Sequence, residues 1–396
     1  MMPDSFLWDI FCQVVDNHGD LGVCWRLSQH MVSLGQRVRL YVDEPSALSW
    51  MAPKHSKNPS LQILPWPKGS AGFQRDGSSW ESPDAVVEAF GCEIPALYLE
   101  TLCAMSKAEV RPWTWINLEY LSAEDYPERM HQLVSPVMSG PAKGMNKWFF
   151  YPGFTAQTGG LLEKHPPGEL KRETPKCAAD KSSSLMWHGN ASLKVFLFSY
   201  EPKALKDVLI ALSNAQTLTH LKVSQGRASS HTHEVLQTPP LLALSTPISP
   251  NTYQLKNLRI EFIDHVDQEA FDTLLESSDL NFVRGEDSWV RAIWAQKAFV
   301  WQIYPQDDGI HFQKMNAFLN RFEAPDTLKQ AFWAWNGFND LPMPDLTPER
   351  IRQWSEWTQG VAEKLRVRPD LASQLLAFLG LKQQEIPPLG PQNESL

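Results

Sequence analysis

The sequence predicts an α/β protein of two doubly wound domains that face each other across a cleft. Three observations support this fold class. The chain has 396 residues, which exceeds the roughly 100–200 residues of a typical single domain. Short apolar segments alternate with segments of helical periodicity in both halves. Polar loops follow several of the predicted strands, at the edge where open α/β sheets bind their ligands.

The composition is that of a globular protein with a sizeable core and no membrane segment. Hydrophobic residues make up 43% of the chain, and the net charge of −9 argues against general nucleic-acid binding. The five cysteines form no CxxC pair, which predicts reduced thiols rather than a disulfide framework or a zinc site. Residues 1–11 lack the features of a signal peptide, and no apolar run approaches the roughly 18 residues of a membrane helix. We therefore expect a cytoplasmic protein that contacts neither membrane nor nucleic acid directly.

The chain opens with a predicted βαβ unit. Residues 8–15 read as a buried strand, residues 22–34 have helical spacing, and residues 37–42 read as the next strand. The loop between the first strand and the helix carries Asp16 and Asp20. These carboxylates stand at a ligand-binding edge, although the same residues are equally typical of a turn and a helix N-cap.

Glycines in this loop would let a ligand approach the backbone closely. Gly19 and Gly22 do not complete the glycine pattern of a dinucleotide-binding turn, so the sequence argues against bound NAD. Further along, residues 85–90 and 113–118 are predicted strands, and residues 95–107 a helix between them. Such a continuation extends the first parallel sheet.

The end of the first half combines a short aromatic strand, a flexible loop and a linker. Residues 148–151 are predicted as the strand, and residues 153–162 form a loop rich in Gly and Thr that can lie close to a ligand. Residues 164–190 are rich in Pro, Lys and Ser, as in a linker between domains.

The second half repeats the alternation of strand and helix. Predicted strands cover residues 195–200, 221–224, 258–263, 280–283 and 298–304, and predicted helices cover residues 203–212, 268–277, 288–296 and 311–322. The polar, proline-rich segment 225–257 reads as a mobile surface insertion, in which His231 and His233 are a weak metal signal. The tail from residue 328 reads as helical and Trp-rich, with a disordered end after residue 384.

These elements predict an N-terminal Rossmann-like domain over residues 1–185 and a C-terminal one over residues 186–370. A C-terminal helix and flexible tail would occupy residues 371–396. Clamshells of this kind include GT-B glycosyltransferases, periplasmic-type binding proteins and two-domain dehydrogenases. The missing export signal weakens the second class, and the missing glycine pattern weakens the third.

Residues 281–292 carry the clearest candidate ligand site. An apolar strand turns at Gly285 and continues with helical spacing, and Ser288 is predicted to cap the new helix. A helix N-terminus presents unpaired N–H groups to an anion, and Arg284 beside it can hold a phosphate with two hydrogen bonds. The segment therefore predicts a nucleotide-linked substrate.

Six stretches together form a distinctive pattern: Phe11–Leu27 (with Asp-Asn-His-Gly-Asp at 16–20), Glu88–Cys92, Trp115–Leu121, Gly153–Leu162, Asn281–Ala292 and Trp301–Gln306. They resemble the bacterial protein-arginine rhamnosyltransferases that modify translation elongation factor P, the EarP family. The resemblance spans both halves, from about residue 8 to residue 320, in the family's order.

The resemblance implies a GT-B fold and an inverting reaction without a metal or other cofactor. The implied donor is dTDP-β-L-rhamnose, held by the C-terminal domain. The implied acceptor is one arginine of elongation factor P, docked mainly on the N-terminal domain, in a modification that supports translation of polyproline stretches.

The chemistry of an arginine acceptor fits the carboxylates of the chain. A guanidinium has a pKa above about 12 and is a poor nucleophile until a carboxylate orients it and accepts its proton. The resemblance places the general base on Asp20, and Asp16 and Glu286 are candidate companions that hold the other nitrogens.

The resemblance also implies the residues that bind the donor. They are Asn17, Gly19, Phe198, Tyr200, Gln268, Arg284, Gly285, Asp287 and Ser288. The sequence departs from the family at Asp264–Asp267, where an aromatic and proline-rich turn is usual. We therefore expect another side chain, such as Phe271, to stack on the thymine.

Two alternatives stay open at the level of sequence. A regulatory module that binds a nucleotide sugar without catalysis would keep Arg284 and Ser288 but would have no use for Asp16 and Asp20. A transferase or epimerase acting on a small sugar acceptor is also compatible with the residues, because only the resemblance names a protein acceptor.

Overall fold

The fold consists of two sheets flanked by helices. The computed structural model describes residues 5–15, 19–53, 58–66, 80–109, 112–163, 192–305 and 309–385. The predicted linker, residues 306–308 and the tail after residue 385 lie outside these ranges. The predicted domain boundary between residues 185 and 186 also lies outside them. None of the helices within them is both long and apolar enough to cross a membrane.

The first sheet shows seven strands within the described residues. They are β1 (Leu7–Cys12), β2 (Arg37–Val42), β3 (Leu61–Pro65), β4 (Ala85–Ala89), β5 (Thr114–Leu118), β6 (Val134–Pro136) and β7 (Asn146–Phe150). Their order is β3-β2-β1-β4-β5-β7-β6, and all pairs are parallel except the edge pair β6–β7. All six residues of β1 are buried, because helices cover both faces of such a sheet.

The helices of the first half are α1 (Gly19–Ser33), α2 (Leu48–Met51), α3 (Ala96–Glu109) and α4 (Tyr126–Met130). Helix α1 begins three residues before the predicted start at Gly22, which places Asp20 in its first turn. The predicted βαβ unit is confirmed, and the carboxyl end of β1 lies in the middle of the sheet.

The second sheet also shows seven strands within the described residues. They are β8 (Leu193–Leu197), β9 (Thr219–Ser224), β10 (Thr246–Ser249), β11 (Thr252–Leu255), β12 (Leu258–Ile263), β13 (Leu280–Arg284) and β14 (Ala298–Gln302). The order is β10-β11-β12-β9-β8-β13-β14, with a parallel core and an antiparallel edge at β10 and β11.

The helices of the second half surround this sheet and continue beyond it. They are α5 (Leu205–Asn214), α6 (Arg227–Leu236), α7 (Leu241–Leu244), α8 (Gln268–Ser277), α9 (Gly285–Ala295), α10 (Ile310–Arg321), α11 (Asp326–Trp335), α12 (Pro348–Arg366) and α13 (Leu371–Gln384). Two Rossmann-like domains facing a cleft constitute the GT-B fold, so the predicted fold class is confirmed.

The prediction of a mobile insertion over residues 225–257 is wrong. The segment forms α6, α7, β10 and β11, and β11 pairs with β12 along its whole length. Ala228, Thr232, Val235 and Leu236 are buried, which is the i, i+4, i+7, i+8 spacing of one helix face. The polar composition of the segment concealed this face.

The last helix returns to the first sheet. Leu371, Leu375 and Leu379 of α13 are buried in the same core as β1 and α1, and Phe378 lies 5.8 Å from the ring of Phe150. Helix α13 thereby packs against the N-terminal domain, although α12 packs in the core of the C-terminal domain.

Candidate functional site

A cavity of about 300 Å³ lies between the two sheets. The first domain lines it with the N-terminal part of α1 and with α2, and the second domain with the segments that follow β8, β9, β12 and β13. These segments lie at the carboxyl ends of parallel strands, the edge that was predicted to bind ligand.

The turn after β13 places a helix N-terminus in this cavity. Gly285 has a φ of 66°, a value that glycine adopts at little cost, and α9 begins at this residue. Its first turn, Gly285–Ser288, lines the cavity with backbone N–H groups that have no partner within the helix. The positive end of the helix dipole therefore faces the ligand space.

The predicted cap by Ser288 is wrong. The helix starts three residues earlier, and the Ser288 hydroxyl donates a hydrogen bond to the carbonyl oxygen of Arg284, four residues back. The strand passes into the helix with no intervening loop residues, so no side chain occupies the N-cap hydrogen-bonding position. Ser288 still lines the cavity.

Three predicted donor-binding residues meet beside this turn. The guanidinium carbon of Arg284 lies 4.8 Å from the Phe198 ring centre and 4.5 Å from that of Tyr200. Such cation–π contacts orient the guanidinium, whose N–H groups point along its own plane and not toward the aromatic rings. Arg284, Phe198 and Tyr200 all line the cavity, so this cluster is suited to hold a phosphate.

Sequence reasoning missed a second cation, Arg227. Its guanidinium lies 4.8 Å from the Tyr200 ring and forms a two-point ion pair with Glu201, with 2.6 Å between Nε and Oε1. Arg227 opens α6 after Gly226, which has a φ of 102°. A glycine two residues after a predicted strand was the available signal, but the segment was assigned to an insertion.

Polar groups without protein partners face the same cavity. Gln268, the first residue of α8, donates from Nε2 to the carbonyl oxygen of Gly22 at 3.2 Å. Its Oε1 and the Ser224 hydroxyl are buried and find no hydrogen-bond partner among the described residues. Buried polar atoms are normally satisfied, so these two are candidates for contacts with a bound nucleotide.

The expected stacking residue, Phe271, packs inside the second domain. Its ring contacts Phe198 edge to face at 5.2 Å and Phe196 at 5.6 Å, and it also lines the cavity. Across the cleft, Trp50 of α2 stacks on His265 with 4.4 Å between ring centres. His265 belongs to the segment in which this chain departs from the family's usual turn.

Two candidate catalytic carboxylates lie close to each other. Asp20 is 5% exposed and accepts a hydrogen bond from the Val15 N–H at 3.0 Å. Glu286 accepts from the Leu121 N–H at 2.8 Å. Burial, reinforced by the charge of nearby Asp20, raises the pKa of Glu286 to about 7, although Lys314 opposes the shift.

The remaining predicted residues fall into three groups. Gly19 opens α1 and lines the cavity. Asp287 also lines it and forms an ion pair with Arg26 of α1, with 3.1 Å between Oδ1 and Nε. Asp16 and Asn17 lie outside the described residues. The catalytic and donor-binding roles of these residues stay predictions.

The raised pKa of Glu286 predicts a pH dependence. If the ionised carboxylate holds a cationic acceptor, kcat/KM for that acceptor rises as the pH increases through about 7, because kcat/KM reports the free enzyme. We expect Glu286→Gln to lose this rise and to be slower throughout. Initial rates between pH 5.5 and 8.5 measure the effect, and an unchanged rise in Glu286→Gln would contradict it.

Nearly the whole chain is similar to proteins of known activity. A family model described as elongation factor P rhamnosyltransferase EarP matches residues 8–380. The chain is 36% identical over 388 residues to a protein-arginine rhamnosyltransferase of Pseudomonas putida, covering 94% of this chain and 98% of the relative. A protein-arginine rhamnosyltransferase of Neisseria meningitidis is 29% identical, with 96% and 99% covered.

A solved structure shows the same fold. It comes from work on the structural basis for EarP-mediated arginine glycosylation of translation elongation factor EF-P. The TM-score is 0.57 at 23% identity, with 96% of this chain and 100% of that chain covered.

Proposed function

We propose a donor, an acceptor and a reaction course for this chain, which belongs to the EarP family of protein-arginine rhamnosyltransferases. The chain is a glycosyltransferase that modifies protein arginine. Its donor is dTDP-β-L-rhamnose and its acceptor is one arginine of elongation factor P, whose modification supports translation of polyproline stretches. The observation that carries the proposal is the cavity in which Glu286 lies beside Arg284 and the N-terminus of α9, with Asp20 close to Glu286.

The cationic side of the cavity supports a diphosphate donor. Arg284 and the first turn of α9 supply positive charge and N–H donors in one place, and Arg227, paired with Glu201, lies beside them. The unsatisfied Gln268 Oε1 and Ser224 hydroxyl add uncharged polar groups that suit a pyrimidine base or its sugar. Phe198, Tyr200 and Phe271 add apolar surface beside them.

The acidic side supports an arginine acceptor. Ionised Glu286 orients the guanidinium, and Asp20 accepts a proton from the attacking nitrogen as the new C–N bond forms. The bond between the anomeric carbon and the β-phosphate oxygen breaks on the opposite face, so the configuration inverts. The electron pair leaves with dTDP, whose growing charge is stabilised by Arg284 and the N-terminus of α9. The residues provide for this without a metal ion.

The donor and the course of the reaction are tested by binding and product analysis. We expect calorimetry to show tighter binding of dTDP than of UDP, and transfer to persist after treatment with EDTA. We expect nuclear magnetic resonance of the glycosylated product to show an α-linked rhamnose. Tighter UDP binding, EDTA-sensitive transfer or a β-linked product would each overturn the corresponding part of the proposal.

An exposed apolar surface near Glu286 supports a protein acceptor over a small sugar. It begins beside Leu121, whose N–H binds Glu286, and continues along α4 to the edge strand β6. Its exposed members are Tyr120, Tyr126, Met130, Leu133, Val134 and Met138. Several exposed apolar side chains beside a catalytic cleft are typical of a protein-binding surface. We call this set the β6 surface.

A charge placed on the β6 surface is expected to weaken binding of the acceptor protein. Leu133 is 48% exposed, and Leu133→Lys puts an ammonium group where we expect apolar contact. We expect KM for elongation factor P to rise about tenfold, the effect of losing one interface contact of over 1 kcal/mol, with dTDP affinity unchanged. Leu242→Lys is the matched control, because Leu242 is 53% exposed on α7 of the other domain. Equal KM values for the two variants would contradict this docking surface.

A further inference from the structure

We propose that Arg26 is a positioning residue that holds the two domains in the arrangement needed for transfer. Its guanidinium forms a two-point ion pair with Asp272 of α8, with 2.9 Å from Nη1 to Oδ2 and 2.8 Å from Nη2 to Oδ1. Its Nε donates to Asp287 of α9 at 3.2 Å. One side chain of the first domain therefore engages two helices of the second.

The positions of these residues on their helices connect the pair to the chemistry. Helix α1 carries Asp20 in its first turn and Arg26 within the same helix. Helix α8 begins at Gln268, and Asp272 lies four residues later, on the same face of the helix. Asp287 follows Glu286 in the first turn of α9. Arg26 thereby links the helix of the proposed base to both helices that line the donor site.

The environment makes this link more than a surface ion pair. The side chains of Arg26, Asp272 and Asp287 are only 11%, 14% and 16% exposed. Burial opposes the charge, but the two carboxylates outweigh it and raise the pKa of Arg26 above its ordinary value. Arg291 also lies 4.0 Å from Asp287 and interacts with the charge of Asp272, so the cluster contains two buried cations beside the two carboxylates. Removing one partner of a buried pair leaves an uncompensated charge.

The geometry also explains why Arg is needed. Its planar group donates to Asp272 from Nη1 and Nη2 and to Asp287 from Nε, which a Lys ammonium cannot reproduce. The adjacent hydrogen bond from Gln268 to Gly22 spans the same cleft. Arg26 also lines the cavity, but its hydrogen bonds go to Asp272 and Asp287, so we expect the cost of losing it to fall on kcat. A misplacement of about 1 Å can cost on the order of 100-fold in rate.

The test compares Arg26→Gln, the isosteric Asp272→Asn and the double variant, and it rests on the proposed function for its transfer assay. The matched control is Arg37→Gln, because Arg37 makes a two-point pair with Glu81 within the first domain, where both side chains are over 40% exposed. For each protein we measure kcat, KM, dTDP affinity and the interdomain distance by single-molecule fluorescence, with one label on each domain.

We expect kcat to fall about 100-fold in Arg26→Gln and about tenfold in Asp272→Asn, with dTDP affinity within about threefold of wild type. The double variant should be no slower than Arg26→Gln, because the pair is already broken. The interdomain distance in the presence of dTDP should broaden in all three, and Arg37→Gln should match wild type. Multiplicative losses in kcat, or an unchanged distance distribution in Asp272→Asn, would overturn the proposal.

Failure of the proposed function is distinguishable from failure of this inference. If wild-type protein transfers nothing from dTDP-β-L-rhamnose to elongation factor P, the donor or acceptor is wrong. The interdomain distances and a double-mutant cycle on thermal unfolding then still test Arg26. Coupled effects of Arg26→Gln and Asp272→Asn in that cycle support the link, and independent effects refute it.

Discussion

Replacing Asp20 by Asn is expected to lower kcat about 1,000-fold, within the range that general bases contribute. Asn has the same shape, and its side-chain oxygen can still accept the hydrogen bond that Asp20 receives from the Val15 N–H. The start of α1 should therefore keep its geometry, and dTDP should bind within about twofold of wild type. The variant loses only the ability to accept a proton and to hold a negative charge in this buried position.

The chain supplies a close control for this substitution. Asp43 is exposed, and its carboxylate accepts from the Val14 N–H at 3.0 Å, one residue from the hydrogen bond made by Asp20. Asp43→Asn removes the same charge from the same neighbourhood and should retain turnover. The measurement is the single-turnover rate of each variant on elongation factor P, compared with wild type. Near-normal turnover in Asp20→Asn would refute the assignment of the base.

Arg284→Gln is expected to weaken dTDP binding and to lower kcat/KM by about 100- to 1,000-fold. The reason is that a preorganised donor aimed at developing charge contributes about 2.7–4 kcal/mol to the transition state. The guanidinium contacts the aromatic rings of both Phe198 and Tyr200 at the end of β13. Gln keeps a hydrogen-bond donor there but removes the charge.

Two further variants separate the contribution of the Arg284 charge from that of its planar group. Arg284→Lys keeps the charge but loses the planar group that stacks and forms paired hydrogen bonds, so its loss in kcat/KM should be intermediate. Arg352→Gln is the control for removal of a cation, because Arg352 pairs with Glu349 and Glu356 on the exposed side of α12. Calorimetry with dTDP measures the effect. Unchanged affinity in Arg284→Gln would remove this residue from the donor site.

The parts of the fold that sequence reasoning predicted are those governed by local pattern. Apolar runs such as residues 8–15 indicated buried parallel strands, and the glycine at 285 indicated the turn that brings α9 to the cavity. The prediction for segment 225–257 failed because the segment is mostly polar and its helix α6 buries only four residues. The prediction that Ser288 caps the helix failed because α9 already begins at Gly285, directly after the strand.

The interdomain contacts could not be predicted in this way. Arg26 lies 246 residues from Asp272 and 261 from Asp287 along the chain. Nothing in the spacing of either segment specifies that these groups meet, because their meeting depends on how the two domains pack. The same is true of Glu286, whose raised pKa results from burial in the cleft. Sequence reasoning thus identified candidate residues, and the structure brings Glu286 and Arg284 to one cavity, with Asp20 close to Glu286.

The most direct test of the central claim is the intact mass of elongation factor P after incubation with this protein and dTDP-β-L-rhamnose. We predict a gain of one rhamnosyl group, mapped by peptide sequencing to a single arginine, and almost none with Asp20→Asn over the time in which wild type completes the reaction. An unchanged mass with folded protein and intact donor would contradict the claim. So would rhamnose on a residue other than arginine.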